Sequence, residues 1–181
     1  WRRYFRSTRA HNTVLVDDRD QSLQSGNFMW SRHAIARCLH FGDHGMTQRF
    51  LGEHDGYCAS REPVEHQREI LYDTLSRTFT IKDILEGEGA HEVCQRWHFA
   101  EHLSPRVKED EICVETARHR IRIVAQALPA LVQTYIGGSP GEGGWISRRF
   151  GHKQPTTTVA WRSAAKGRTI LTTHIYVEGR E

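Results

Sequence analysis

Apolar residues in this chain recur at every second position far more often than at every third or fourth. A period of two suits a half-buried strand and not a helix. Phe79, Ile81 and, after Asp83, Leu85 fall on one face; Val93, Gln95, Trp97 and Phe99 repeat the habit, and Arg120-Ile121-Arg122-Ile123 alternates cleanly. Further strands are predicted at 13–16, 33–41, 67–72, 112–116, 131–136, 156–161 and 169–177. Turn-rich stretches such as Gly42-Asp43-His44-Gly45 and Glu86-Gly87-Glu88-Gly89 separate them. About ten to twelve strands with almost no amphipathic helix predict an all-β fold, an antiparallel β-sandwich of two large sheets that bury their alternating faces against each other.

At 181 residues the chain has room for one domain, or one domain and a fragment of another. A hydrophobic share of 38% with five Trp, seven Phe and five Tyr excludes a disordered chain. No apolar run approaches the roughly 18 residues of a membrane span. Net charge is 25 − 22 = +3, with twelve His that add charge in acid. Such a balance permits an anionic partner without demanding one. The chain begins at Trp1 rather than Met and opens on Arg2-Arg3-Tyr4-Phe5-Arg6, so it reads as a piece of a longer polypeptide. Cys38, Cys58, Cys94 and Cys113 form no CxxC pair and are expected to be buried free thiols. The glycine-dense stretch 137–144 lacks a Gly-Lys-Ser/Thr ending and a following helix, so it is expected to be a connection between strands and not a phosphate loop.

The densest polar signal is Arg6-Ser7-Thr8-Arg9-Ala10-His11-Asn12-Thr13, which runs into Val14-Leu15-Val16 and ends at Asp17-Asp18-Arg19-Asp20-Gln21. It places an imidazole, an amide and fixed positive charge at the mouth of one strand. A neutral His takes a proton near pH 7 and returns it, and Arg6 or Arg9 suits a carboxylate or sulfate through bidentate hydrogen bonds. The plainer reading is that His11 and Asn12 only satisfy backbone groups at a strand end. Trp30, followed by Arg32, sets an aromatic face beside fixed positive charge, although core packing is the default for a Trp in an all-β chain. Trp97 and Trp161 fall at inward positions and are assigned to the core.

The run from Tyr4 to Asp17 with Arg19-Asp20-Gln21 resembles the opening of the C-terminal β-sandwich of heparinase II/III-like polysaccharide lyases. His54-Asp55-Gly56-Tyr57, His66-Gln67-Arg68, Asp83-Ile84-Leu85-Glu86-Gly87, Arg96-Trp97-His98-Phe99-Ala100 and Gly144-Trp145-Ile146-Ser147 leading to Phe150-Gly151 continue the resemblance in order over nearly the whole chain. The resemblance implies a bacterial, periplasmic or secreted enzyme in which an N-terminal (α/α) toroid, outside this chain, closes a cleft against residues 1–181. It implies cleavage of acidic, uronic-acid polysaccharide by β-elimination. That chemistry needs a neutraliser for the uronate carboxylate, a base for the C5 proton and an acid for the leaving oxygen. The toroid is expected to supply an Asn or similar neutraliser and a Tyr, and His11 the acid/base imidazole. Arg6, Arg9, Asn12, Trp30 and Arg32 are the substrate-binding candidates.

One departure from the family pattern is Asp18 where Gly is expected, which alters the turn and brings negative charge toward His11. Some members of the family hold a divalent metal in the sandwich, a Zn or Ca ion. The candidates here are His54 with Asp55, or the group His40, Asp43 and His44, and neither spacing is diagnostic. Tyr57 is placed within reach of the cleft without a catalytic role. A non-catalytic carbohydrate-binding or scaffold module is the competing reading. Nucleic-acid binding through Arg2, Arg3, Arg6 and Arg9 is the weakest, because Asp17, Asp18 and Asp20 follow at once and no basic face extends further.

Overall fold

The computed structural model describes residues 1–139 and 141–180, without the side chain of His44. The chain opens with a single helical turn, α1 (Arg2–Arg6), and a 3₁₀ turn (Thr8–Ala10). Among the described residues fourteen strands follow: β1 (Val14–Val16), β2 (Leu23–Ser25), β3 (Met29–Arg32), β4 (Ala36–His44), β5 (Thr47–His54), β6 (Glu65–Asp73), β7 (Thr78–His98), β8 (Arg106–Val107), β9 (Glu111–Glu115), β10 (His119–Ala125), β11 (Leu131–Ile136), β12 (Trp145–Arg149), β13 (His152–Pro155) and β14 (Thr157–Gly179). The all-β, sandwich-like architecture agrees with the period-two reading.

Two very long strands organise the molecule. Strands β7 and β14 pair antiparallel from Thr158↔His98 to Tyr176↔Thr78, with one register shift at Lys166/Gly167. Strand β6 pairs with the first half of β7 (Glu65↔Glu86 to Asp73↔Thr78), and β10 with the last part of β14. This gives one layer in the order β4-β5-β6-β7-β14-β10-β9-β8. The other half of the ribbon takes β1 on Val93–Gln95 and β11 on Thr157–Arg162, so that a single ten-stranded sheet supplies both this smaller layer and the larger one. Ile81 and Trp97 belong to one packed cluster with Ile112, Val114, Ile123, Val159 and Trp161. Sixteen residues of straight strand would span roughly 50 Å, so the ribbon folds back on itself, and the bulge is the natural place for the bend.

The structure corrects several expectations. Glu86-Gly87-Glu88-Gly89 is no turn, and the segments on either side of it are one strand. Likewise 156–161 and 169–177 join in β14. Residues Gly42 to His44 lie in β4 and the chain reverses only at Gly45-Met46. Cys94 and Cys113 are buried as expected, whereas Cys38 and Cys58 are exposed. The glycine-dense stretch does connect β11 to β12; its Pro140 lies outside the described residues. Trp97 and Trp161 are core residues, edge to face at 5.9 Å.

Candidate functional site

Strand β1 is buried along its whole length because both its faces are covered. Val14 and Val16 pack with Tyr57, Val64, Leu85 and Val93, while Leu15 packs with Cys94 and Ala160. A strand so enclosed fixes the residues just before it, and the His11-Asn12 pair sits there, at the surface. The His11 Nδ1–H donates to the Ser7 carbonyl at 2.8 Å. A carbonyl oxygen only accepts, so the neutral ring carries its proton on Nδ1 and keeps the Nε2 lone pair as its proton acceptor.

Asn12 is held from two sides. Its Oδ1 accepts the His98 backbone N–H at 2.7 Å, and its carbonyl accepts Arg68 Nη1 at 2.6 Å. The His98 ring is fixed as well. The Arg9 carbonyl can only accept, so His98 Nε2–H donates to it (3.1 Å), the neutral ring's Nδ1 accepts the Thr158 hydroxyl (2.9 Å), and Thr158 Oγ1 in turn accepts the Gly144 N–H. Burial, with the Arg96 charge second, pushes the His98 pKa down to about 4.

Beneath the motif lies a polar network that the sequence reading did not assign. Asp83, 0% exposed, accepts Arg68 Nε on Oδ1 (2.7 Å) and Arg68 Nη2 on Oδ2 (2.9 Å), His66 Nε2–H on Oδ1 (2.8 Å) and Gln95 Nε2 on Oδ2 (2.9 Å). Burial by itself would raise the Asp83 pKa. The His66 hydrogen bond and the Arg68 charge outweigh it and hold the carboxyl well below the usual range. The chain of tautomers is determined: Gly56 N–H donates to His54 Nδ1 (3.1 Å), His54 Nε2–H donates to His66 Nδ1 (2.8 Å), and His66 Nε2–H donates to Asp83. Burial, then the adjacent His66, lowers the His54 pKa to about 4.

This geometry bears on the metal expectation. Both nitrogens of His54 are engaged in hydrogen bonds, and Asp55 Oδ1 accepts the Ile35 N–H at 2.7 Å. As arranged, neither nitrogen of His54 presents a free lone pair to a Zn or Ca ion. The side chain of His44, from the other candidate group, lies outside the described residues. Among the described residues no group of three or more His, Cys, Asp and Glu is arranged to hold a metal.

The remaining candidates divide between two places. Arg6 donates to the carbonyls of Gly26, Asn27 and Met29 and stacks 4.2 Å over the Trp30 ring, so these two residues contact each other and brace the β2–β3 hairpin against α1. Arg32 donates to the carbonyls of Gln21 and Gly56 and ties β3 to the His54–Tyr57 turn. Arg9 stays close to the motif. Its guanidinium lies between the Gly141 carbonyl (3.1 Å) and Asp18 (3.3 Å). Asp18 adopts a left-handed backbone (φ 55°), a conformation that Asp tolerates where Gly is usual. Its carboxylate pairs with Arg9 and Arg162. Tyr57, placed near the cleft by the sequence, is 3% exposed and donates to the Val14 carbonyl at 2.8 Å, so it is a core residue.

Asp83 and Gln95 were visible in one respect. The alternation puts both on inward faces among Ile81, Leu85, Val93 and Trp97, where a polar side chain must find partners. Which partners they find, on β6 and along β7, no spacing reveals.

A two-layer sandwich with an exposed imidazole at a strand mouth, beside an Asn12 carbonyl that Arg68 ties to a buried carboxylate, defines an all-β domain with a candidate site at its surface. The family model described as "Heparinase II/III-like, C-terminal" matches residues 1–181, and the chain belongs to that family. Among solved structures it is similar to heparan sulfate lyase HepC from Pedobacter heparinus (TM-score 0.74, 14% identity, covering 98% of this chain and 25% of that one). It is also similar to heparinase III (TM-score 0.70, 14% identity, 98% and 24%) and to a second heparinase III gene product (TM-score 0.69, 15% identity, 98% and 25%). These likenesses establish the fold, and the chain spans about a quarter of the length of those proteins. No curated protein matches the sequence.

Proposed function

We propose that this chain is the C-terminal sandwich of a polysaccharide lyase acting on uronic-acid-containing acidic polysaccharide, with His11 as acid/base in a cleft that an N-terminal α/α toroid completes. One observation carries the reading: His11 is exposed, and the Ser7 carbonyl fixes its tautomer so that Nε2 is the proton acceptor. In β-elimination a base takes the C5 proton, the electron pair forms the C4=C5 double bond, and the C4–O bond breaks. The leaving oxygen then takes a proton. A His in this tautomer serves the first step as base, and its protonated form serves the last as acid. The Arg9 guanidinium, held beside the motif by Asp18, supplies fixed positive charge for a carboxylate or sulfate. Heparan sulfate lyase is what one structural neighbour is named, and a heparan-type glycan is the first substrate to try. A periplasmic or secreted location accompanies this reading.

The test is made in the full-length protein that carries this chain, following the far-UV absorbance of the unsaturated product. His11→Ala is expected to lower turnover by about 10²–10⁴-fold with an unchanged melting transition. A variant with normal turnover overturns the catalytic assignment.

The second reading is a non-catalytic scaffold, favoured for part of the motif by the internal contacts of Arg6, Arg32 and Asn12. It predicts that His11→Ala changes neither turnover nor glycan affinity.

A further inference from the structure

We infer that Arg68 is a positioning residue that sets the His11-Asn12 backbone for catalysis; the inference rests on the lyase reading above. Arg68 projects from β6 and uses three N–H groups at once. Nε and Nη2 meet the two oxygens of Asp83 at 2.7 and 2.9 Å, and Nη1 meets the Asn12 carbonyl at 2.6 Å.

The planar fork makes these contacts interdependent. Asp83 is fully buried and also held by His66 and Gln95, so the carboxylate cannot swing, and the guanidinium bound to both its oxygens cannot turn. The third N–H therefore holds the Asn12 carbonyl at a place dictated by the core. On the other side of His11, the His98 ring holds the Arg9 carbonyl, and the His98 amide holds Asn12 Oδ1. The exposed imidazole thus sits on backbone clamped at both flanks, by β6 through Arg68 and by β7 through His98. Arg68 also lines, with Thr13, Phe50, His54 and His66, a groove of about 300 Å³ beside the motif. A lysine in its place would keep a charge near Asp83 but lacks the fork that reaches Asn12 as well.

The experiment measures kcat and KM on a uronate glycan, with the melting temperature, for wild-type full-length protein and for Arg68→Ala, Arg68→Lys and His11→Ala. Arg68→Ala is expected to lower kcat by about 10–100-fold with KM within about twofold, because the glycan is still bound and the imidazole is misplaced. Guanidinium ion added at non-denaturing concentration is expected to restore part of that loss in Arg68→Ala and none in His11→Ala. Arg68→Lys is expected to fall between the two while melting near wild type, and it carries the test if the alanine variant does not fold. If His11→Ala is inactive while Arg68→Lys and a folded Arg68→Ala turn over within twofold of wild type, the positioning role is overturned and the lyase reading stands. A loss in Arg68→Ala that tracks only the folded fraction, without guanidinium rescue, also overturns it. If His11→Ala turns over normally, the lyase reading itself has failed.

Discussion

Asp83 is the residue on which most of the polar interior converges. Its four hydrogen-bond contacts come from three side chains, and removing the carboxylate would leave Arg68, His66 and Gln95 facing a hole. Asp83→Ala is therefore expected to destabilise the domain by about 3–5 kcal/mol, measured by urea unfolding. Two imidazoles set a pH dependence. His54 and His98 have folded pKa values of about 4, below the unfolded value of roughly 6.5. Between those values the unfolded chain binds more protons than the folded one, so their contribution is complete above pH 6.5 and is lost as pH falls toward 4. The melting temperature is expected to fall through that window, and His98→Gln, which removes one of the two groups, to flatten the slope. Asp83, held low, adds its own loss only below its unfolded pKa, near pH 4. The thiols separate by burial: a thiol reagent is expected to modify two per folded chain, Cys38 and Cys58, and four after denaturation. At Cys58 partial desolvation raises the thiol pKa, so its modification is expected to speed up as pH rises.

At the level of elements, the β7–β14 ribbon shows how local chemistry misleads. The alternating glycines and glutamates of 86–89 have turn composition, yet they continue a strand because Gly87 and Gly89 serve close approach instead of reversal. A Cβ on Gly87 would lie 2.6 Å from the Pro63 carbonyl oxygen, and one on Gly89 would lie 2.9 Å from the His91 ring. Gly87→Ala is expected to cost about 1–3 kcal/mol, read by urea unfolding. The same kind of crowding, joined to a left-handed backbone, marks Gly144. Its φ is +80°, and a Cβ there would meet the Gly137 nitrogen at 2.6 Å. Its N–H also starts the chain of hydrogen bonds through Thr158 to His98. Single-residue features of this kind have no periodic signature, which is why the strand boundaries were less legible than the strands themselves.

In the whole molecule, one cluster joins both layers, with Trp161 (2% exposed) and Trp97 in it beside Ile81, Ile112 and Ile123. Trp161→Ala is expected to cost about 3–5 kcal/mol and to lower the denaturant midpoint of the whole domain cooperatively. The sequence by itself determined the all-β class, the inward faces and the family, because burial against a single core imposes a period of two that survives in a linear string. It also marked His11 and Asn12 as the place to look. What only the tertiary structure decided is which polar groups meet. Asp83, Arg68, His66, Gln95 and His98 all lie on the consecutive strands β6 and β7, and antiparallel pairing with the bend of the ribbon brings them under a motif far earlier in the chain. The same folding engaged both nitrogens of His54 in hydrogen bonds and turned Arg6 and Arg32 toward backbone carbonyls. Contacts between side chains depend on register and on how the ribbon folds over, and neither is written in the spacing of residues along one strand.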